Sequence, residues 1–122
     1  MSGHPELRVA DRGSVPVAHL AGDLDASSAP SLHARLLKAV QNRDVGLVVD
    51  LGDTRYLDSA GINLLFELAE LLQARQLALA VVVPEGGLVE RVLSLVDLSS
   101  VAELHRSVDA AVHALLDGGE GP

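Results

Sequence analysis

Gly46-Leu47-Val48-Val49-Asp50-Leu51, then Gly52-Asp53-Thr54-Arg55-Tyr56-Leu57, then Asp58-Ser59-Ala60-Gly61-Ile62 is the stretch on which the fold turns. From Val45 to Leu51 only Gly46 and Asp50 break an apolar run, as expected of a strand covered on both faces. Residues 52–57 read as a connector. From Ser59 to about Arg75 the residues Ile62, Leu64, Leu65, Phe66, Leu68, Ala69, Leu71 and Leu72 surround much of a helix, which marks it as one of the most buried. Asp58 and Ser59 therefore fall at a helix N-terminus, where free N–H groups and the positive end of the helix dipole favour a hydroxyl, a carboxylate or a phosphate.

Upstream, Leu7–Arg12 and Val15–Leu20 flank the turn Gly13-Ser14 and read as a hairpin, with Pro16 at the start or exposed side of its strand. After Gly22-Asp23-Leu24-Asp25, Ser27 or Ser28 is a natural N-cap and Pro30 suits a first helical turn. Leu32, Leu36, Leu37 and Val40 then mark a helical face ending near Asn42. Downstream, Leu77–Val83 is a second continuous apolar strand stopped by Pro84 and Gly86-Gly87. Leu88, Val89, Val92, Leu93 and Val96 define a short helix, Val101–Leu104 a short strand, and Val108, Ala111, Val112, Leu115 and Leu116 a last helix. The order β-β-α-β-α-β-α-β-α predicts an α/β fold, a mixed and mostly parallel sheet flanked by four helices. No repeat or linker divides the chain, so residues 1–122 are expected to form one domain with a core over about 7–116 and a frayed tail.

Composition narrows the function classes. With 122 residues and 48% hydrophobic residues the chain can bury a core, but only 2% are aromatic, too few for a base-stacking platform. A net charge of −8 argues against nucleic acid and anionic membranes, whose binding needs Lys and Arg, and favours a protein partner. The absence of cysteine excludes disulfides, thiol nucleophiles and Cys-ligated zinc. The first eight residues lack the basic start and apolar run of a signal peptide, and no apolar run approaches a membrane span; a cytoplasmic protein without membrane insertion is expected.

Ser59 has two readings, cap or chemical switch. Asp58 can supply the cap as well as Ser59 can, which would leave the Ser59 hydroxyl in the first turn facing solvent. A hydrolase nucleophile fits poorly: the elbow Gly-x-Ser-x-Gly needs glycine where Leu57 stands. His4, His19, His33, His105 and His113 are scattered, with His4 in the terminus and His33, His105 and His113 read as surface residues on or beside helices. None has the spacing of a metal pair. A phosphoryl-accepting acidic pocket built on Asp50, Asp23 and Asp25 lacks its neutralising groups, since Lys38 is the sole lysine and Val83-Pro84-Glu85-Gly86 holds no hydroxyl. Asp23-Leu24-Asp25 is too short for a calcium loop and reads as a solvated turn that helps to cap the next helix. No catalytic residue, metal site or cofactor is expected.

Taken in order, Gly22-Asp23-Leu24-Asp25 before a helix, Leu47–Leu51, and Leu57-Asp58-Ser59-Ala60-Gly61-Ile62 opening an apolar helix resemble the STAS domains of bacterial anti-sigma factor antagonists. The resemblance runs from about Leu7 to Leu116. It implies a phosphorylatable binding module used for partner switching in transcription regulation and stress response. The unphosphorylated antagonist binds a serine-kinase anti-sigma factor with a histidine-kinase-like ATPase fold, so that the sigma factor is released; phosphorylation by that kinase ends the binding. The resemblance makes Ser59 the phosphoacceptor and matches Asp23, Asp25 and Asp58 to acidic positions of the partner surface, with Ala60, Gly61 and Asn63 beside them. After the serine, many members have Gly-Leu-Gly where this chain has Gly61-Ile62-Asn63. The alternative is a STAS-like structural subunit bound to the cytoplasmic ATPase of a transporter, for example in lipid transport, with Ser59 never phosphorylated.

Overall fold

The computed structural model describes residues 6–118; His4 and the part of the expected tail from 119 to 122 lie outside them. The elements are Glu6–Arg12 (β1), Val15–Leu24 (β2), Ala29–Ala39 (α1), Gly46–Leu57 (β3), Ser59–Ala74 (α2), Ala78–Val82 (β4), Leu88–Leu93 (α3), Glu103–His105 (β5) and Val108–Gly118 (α4). A single 3-10 turn, Leu98–Ser100, precedes β5. The sheet runs β1-β2-β3-β4-β5, with β1 antiparallel to β2 and the other neighbours parallel. The predicted order and the mixed, mostly parallel sheet are therefore present.

That order dictates the layers. Each crossover from β2 to β5 advances one position in the same direction, so right-handed connections put α1, α2 and α3 on one face. Their apolar sides meet the sheet in a cluster that includes Leu24, Leu32, Leu36, Leu51, Leu65, Leu68, Leu72 and Leu93. α4 follows the last strand and turns back over the opposite face, where Ala111, Val112 and Leu115 pack on Val15, Val17, Val48, Ala80 and Val82. With helices on both sides, β3 and β4 are buried throughout their paired middle, which is why they read as unbroken apolar runs.

Three local expectations need correction. Residues 52–57 are the second half of β3: Asp53, Thr54, Tyr56 and Leu57 pair with Ala21, Gly22, Asp23 and Leu24 across two register irregularities. β3 spends two more residues than β2 over this span, so its buried positions fall at Leu51, Thr54 and Leu57. That spacing of three hides the strand from a search for alternation. The buried Thr54 hydroxyl donates to the Leu20 carbonyl at 2.9 Å, so a polar side chain is satisfied there. α1 ends at Ala39, short of Asn42, which adopts φ 62°. Pro16, buried, stands at the start of β2 as one of the two expected placements; the β3 ladder begins only at Val17, so its missing N–H breaks no bond on that side. Leu88 and Leu116, expected on inward faces, are exposed at the ends of their helices.

The short α3 is held by its first turn: the Gly86 N–H donates to Glu90 Oε1 at 2.6 Å, and Arg106 pairs with the same carboxylate at 2.6 Å. The Gly86 N–H first, then Arg106, hold the Glu90 carboxyl below its ordinary value. Leu68 is fully buried in the larger cluster. Leu68→Ala is expected to lower unfolding free energy by about 2–5 kcal/mol in urea titration, because the cavity cannot close around a helix packed on the sheet.

Candidate partner-binding surface

The turns that leave β2 and β3 meet at one end of the sheet. Asp58 donates its N–H to the Leu24 carbonyl at 3.2 Å, and a Cβ on Gly61 would lie 2.6 Å from that same oxygen and 2.8 Å from Leu57 Cδ1. Gly61 is thus buried by a close approach no side chain could share, and it sets how near α2 begins to β2. Gly22, at φ 97°, makes the corresponding backbone excursion in β2 beside the register shift. Together these two glycines bring the segment with Asp23 and Asp25 against the segment with Asp58 and Ser59.

Asp58 is the cap of α2. It is extended (φ −109°, ψ −167°), and its Oδ1 accepts from the Ala60 N–H at 2.9 Å and the Gly61 N–H at 3.2 Å. Ser59 is thereby relieved of capping: it is the first residue of α2, exposed, and among the described residues its hydroxyl has no hydrogen-bond partner. Ala60 is half-buried and Asn63 exposed. Asn63 stands one helical turn after Ser59, so both occupy one face of α2.

The β2–α1 turn is organised by Asp25, in keeping with the reading of residues 23–25 as a turn that helps to cap α1. Ser28 occupies the N-cap position but makes no side-chain cap bond. Asp25 Oδ1 instead accepts from the Ser27 hydroxyl at 2.7 Å, the Ser27 N–H at 3.0 Å and the Ser28 N–H at 3.2 Å. The Ser28 hydroxyl accepts from the Asp25 N–H and donates to the Asp23 carbonyl, both at 3.0 Å. The Ser27 hydroxyl foremost, opposed by partial desolvation and aided by the two N–H groups, holds the Asp25 carboxyl below its ordinary value. Asp23 is half-buried, and among the described residues its carboxylate makes no hydrogen bond.

Two histidines are placed otherwise than expected. His33 is half-buried between α1 and α2: its Nε2 has no hydrogen-bond partner among the described residues and stands 4.0 Å from Glu67 Oε1. His105 is half-buried in β5, bonded to Glu103 at 3.1 Å, whereas His113 is exposed beside Asp117. One pairing had no sequence signal. His19 Nδ1 meets Asp50 Oδ2 at 2.7 Å, because parallel β2 and β3 place the two residues in register, and Asp50 Oδ1 also accepts from the Gly52 N–H at 2.9 Å. Among the described residues no group of three or more His, Asp or Glu could hold a metal ion, and no helix is long and apolar enough to cross a membrane.

The fold defines the class of protein. A family model described as Mlab, STAS domain matches residues 7–105, and the chain belongs to the STAS-domain family. An anti-sigma factor antagonist from Mycobacterium paratuberculosis is similar over 96% of this chain and 100% of its own, with 25% identity and a TM-score of 0.79. An anti-sigma-factor antagonist (STAS) domain protein from Planctomyces limnophilus shares the fold over 89% of this chain and 96% of its own (20% identity, TM-score 0.73). So does the phosphorylated form of the Bacillus cell fate determinant SpoIIAA, over 90% and 99% (16% identity, TM-score 0.64). No curated protein shows significant sequence similarity to the chain. The chain has the fold of the anti-sigma factor antagonists.

Two outcomes test the site's construction. Asp58→Ala is expected to cost about 1 kcal/mol of stability in thermal unfolding, with the circular dichroism of the folded state preserved. In NMR titration the Asp25 carboxyl is expected to have a midpoint below the ordinary carboxylate value, and Ser27→Ala to raise it. The ionised carboxylate then stabilises the turn fully above the ordinary value, and that contribution is lost as pH falls through the lowered one.

Proposed function

We propose that this protein is an anti-sigma factor antagonist that binds a serine-kinase anti-sigma factor, releases the sigma factor, and is switched off by phosphorylation of Ser59. The single observation that carries the reading is the division of labour at α2: Asp58 satisfies the helix N-terminus and Ser59 stands exposed with its hydroxyl unengaged. The partner has a histidine-kinase-like ATPase fold and meets Asp23, Asp25, Asp58, Ser59, Ala60 and Asn63, with the expected contact Gly61 buried beneath them; the sigma factor is affected only indirectly. Ala60 and Gly61 keep the surface low enough for close approach. The protein is a cytoplasmic, bacterial regulator of transcription in a stress response, with no catalysis, cofactor, nucleic acid or membrane insertion of its own.

The physics of the switch is electrostatic. A phosphate adds about −1.5 to −2 charges and several strong acceptors. Because the Asp58 carboxylate already holds the first α2 amides, a phosphate on Ser59 is directed outward beside a carboxylate that repels it. The fold survives while the partner meets added repulsion and desolvation. A structural subunit of a transporter's cytoplasmic ATPase is the second reading, favoured by the Mlab description of the matching family; in it Ser59 is a contact and is never phosphorylated.

Ser59→Asp is expected to weaken binding of the cognate kinase by at least about tenfold, a difference of about 1.4 kcal/mol, with an unchanged circular dichroism spectrum. Ser59→Ala is expected to bind and to accept no phosphate. Phosphate incorporated into Ser59→Ala, or equal affinity of Ser59→Asp, would sink the proposal.

A further inference from the structure

The two edges of the sheet are protected unequally. β5 presents only three residues, whereas β1 presents seven, six of them exposed, with no proline and no register irregularity against β2. An edge of that length is a template for another strand unless something blocks it.

The outward-facing groups of β1 can be identified. Leu7 lies opposite Leu20, and the Leu20 carbonyl accepts from Thr54 on β3, so it points away from β1. In an antiparallel ladder both members of such a pair turn their backbone groups away from each other. The Leu7 carbonyl accordingly faces outward, where the Arg35 guanidinium donates to it at 3.2 Å. By alternation Val9 and Asp11 also present their N–H and C=O groups outward.

We propose that β1 pairs antiparallel with β1 of a second copy of this chain, about a two-fold axis at Val9, joining two five-stranded sheets into one. The register is dictated by self-complementarity. Val9, 43% exposed, meets Val9 of the second copy, and each exchanges both outward hydrogen bonds with the other. Leu7 meets Asp11, so that Arg35, released from the Leu7 carbonyl, reaches the carboxylate of the other copy. On the opposite face Glu6 meets Arg12, an opposite-charge pair formed twice by symmetry. Five of the nine cationic residues of this acidic chain, Arg8, Arg12, Arg35, Lys38 and Arg43, lie on β1 or on α1 and the loop after it. Arg43 already pairs with Asp11 at 2.9 Å, and Arg12 with Asp109. The same charges would serve edge protection in a monomer, and the two roles are separable. The inference does not rest on the antagonist reading.

Sedimentation velocity of the full chain at increasing concentration, with amide hydrogen exchange, tests it. The expected result is a concentration-dependent dimer in which the amides of Leu7, Val9 and Asp11 become slower to exchange as dimer accumulates. Val9→Pro removes an outward N–H without touching the β2 ladder and is expected to abolish the dimer. Glu6→Arg and Arg12→Glu are each expected to weaken dimerisation by about tenfold, since two pairs become like-charged, and the double exchange to restore it. If Val9→Pro does not fold, the exchange series decides. A protein that stays monomeric at every concentration, a dimer untouched by Val9→Pro, or charge exchanges without weakening and rescue would each overturn the pairing.

Discussion

The backbone of Gly61 lies against the Leu24 carbonyl so closely that a methyl group there would sit 2.6 Å from the oxygen, and the same oxygen accepts the Asp58 N–H. This contact joins the end of β2 to the start of α2. It requires that β3 deliver Asp58 level with Leu24 although β3 has used two more residues than β2 to get there. The two register shifts are thus part of the site, because without them Asp58 would reach the end of the sheet out of line with Leu24. The cap, the exposed serine and the acidic turn after β2 all inherit their positions from this one approach.

Above that junction the division between scaffold and surface is sharp. The strands beneath are covered by α1, α2 and α3 on one side and α4 on the other, and they contribute rigidity. The polar residues at their ends are held by short, local hydrogen bonds: Asp25 by Ser27 and Ser28, Asp58 by the first amides of α2. A charge added at Ser59 would therefore fall on the surface and leave the core untouched. Charge is also unevenly distributed in the plane of the sheet, with acids at the ends of β2 and β3 and most cations near the β1 edge.

The order of elements was legible because burial on two faces writes unbroken apolar runs and burial on one face of a helix writes a period near four. Leu47–Leu51, Leu77–Val83 and the α2 pattern needed no tertiary information, whereas residue type and position left Asp58 and Ser59 both able to cap α2 and the structure chose Asp58. At α1 the N-cap position of Ser28 was legible but the absence of a cap bond from its side chain was not, because Asp25, Ser27 and Ser28, close in sequence, can each accept from a nearby amide. Only the backbone path shows that Asp25 turns back over the other two.

By itself the sequence determined the order of the elements, the apolar cores of the central strands and helices, and that a hydroxyl and a carboxylate stand at the start of the central helix, because these depend on local propensity and on apolar spacing. Tertiary structure alone decided the register. It set β3's two extra residues against β2, the His19–Asp50 pair, the burial of His33 between two helices, and the approach of Gly61 to Leu24. The physical reason is that register is fixed by contacts between residues tens of positions apart. A single chain read in order carries the period of its burial and says nothing of which distant residue lies opposite.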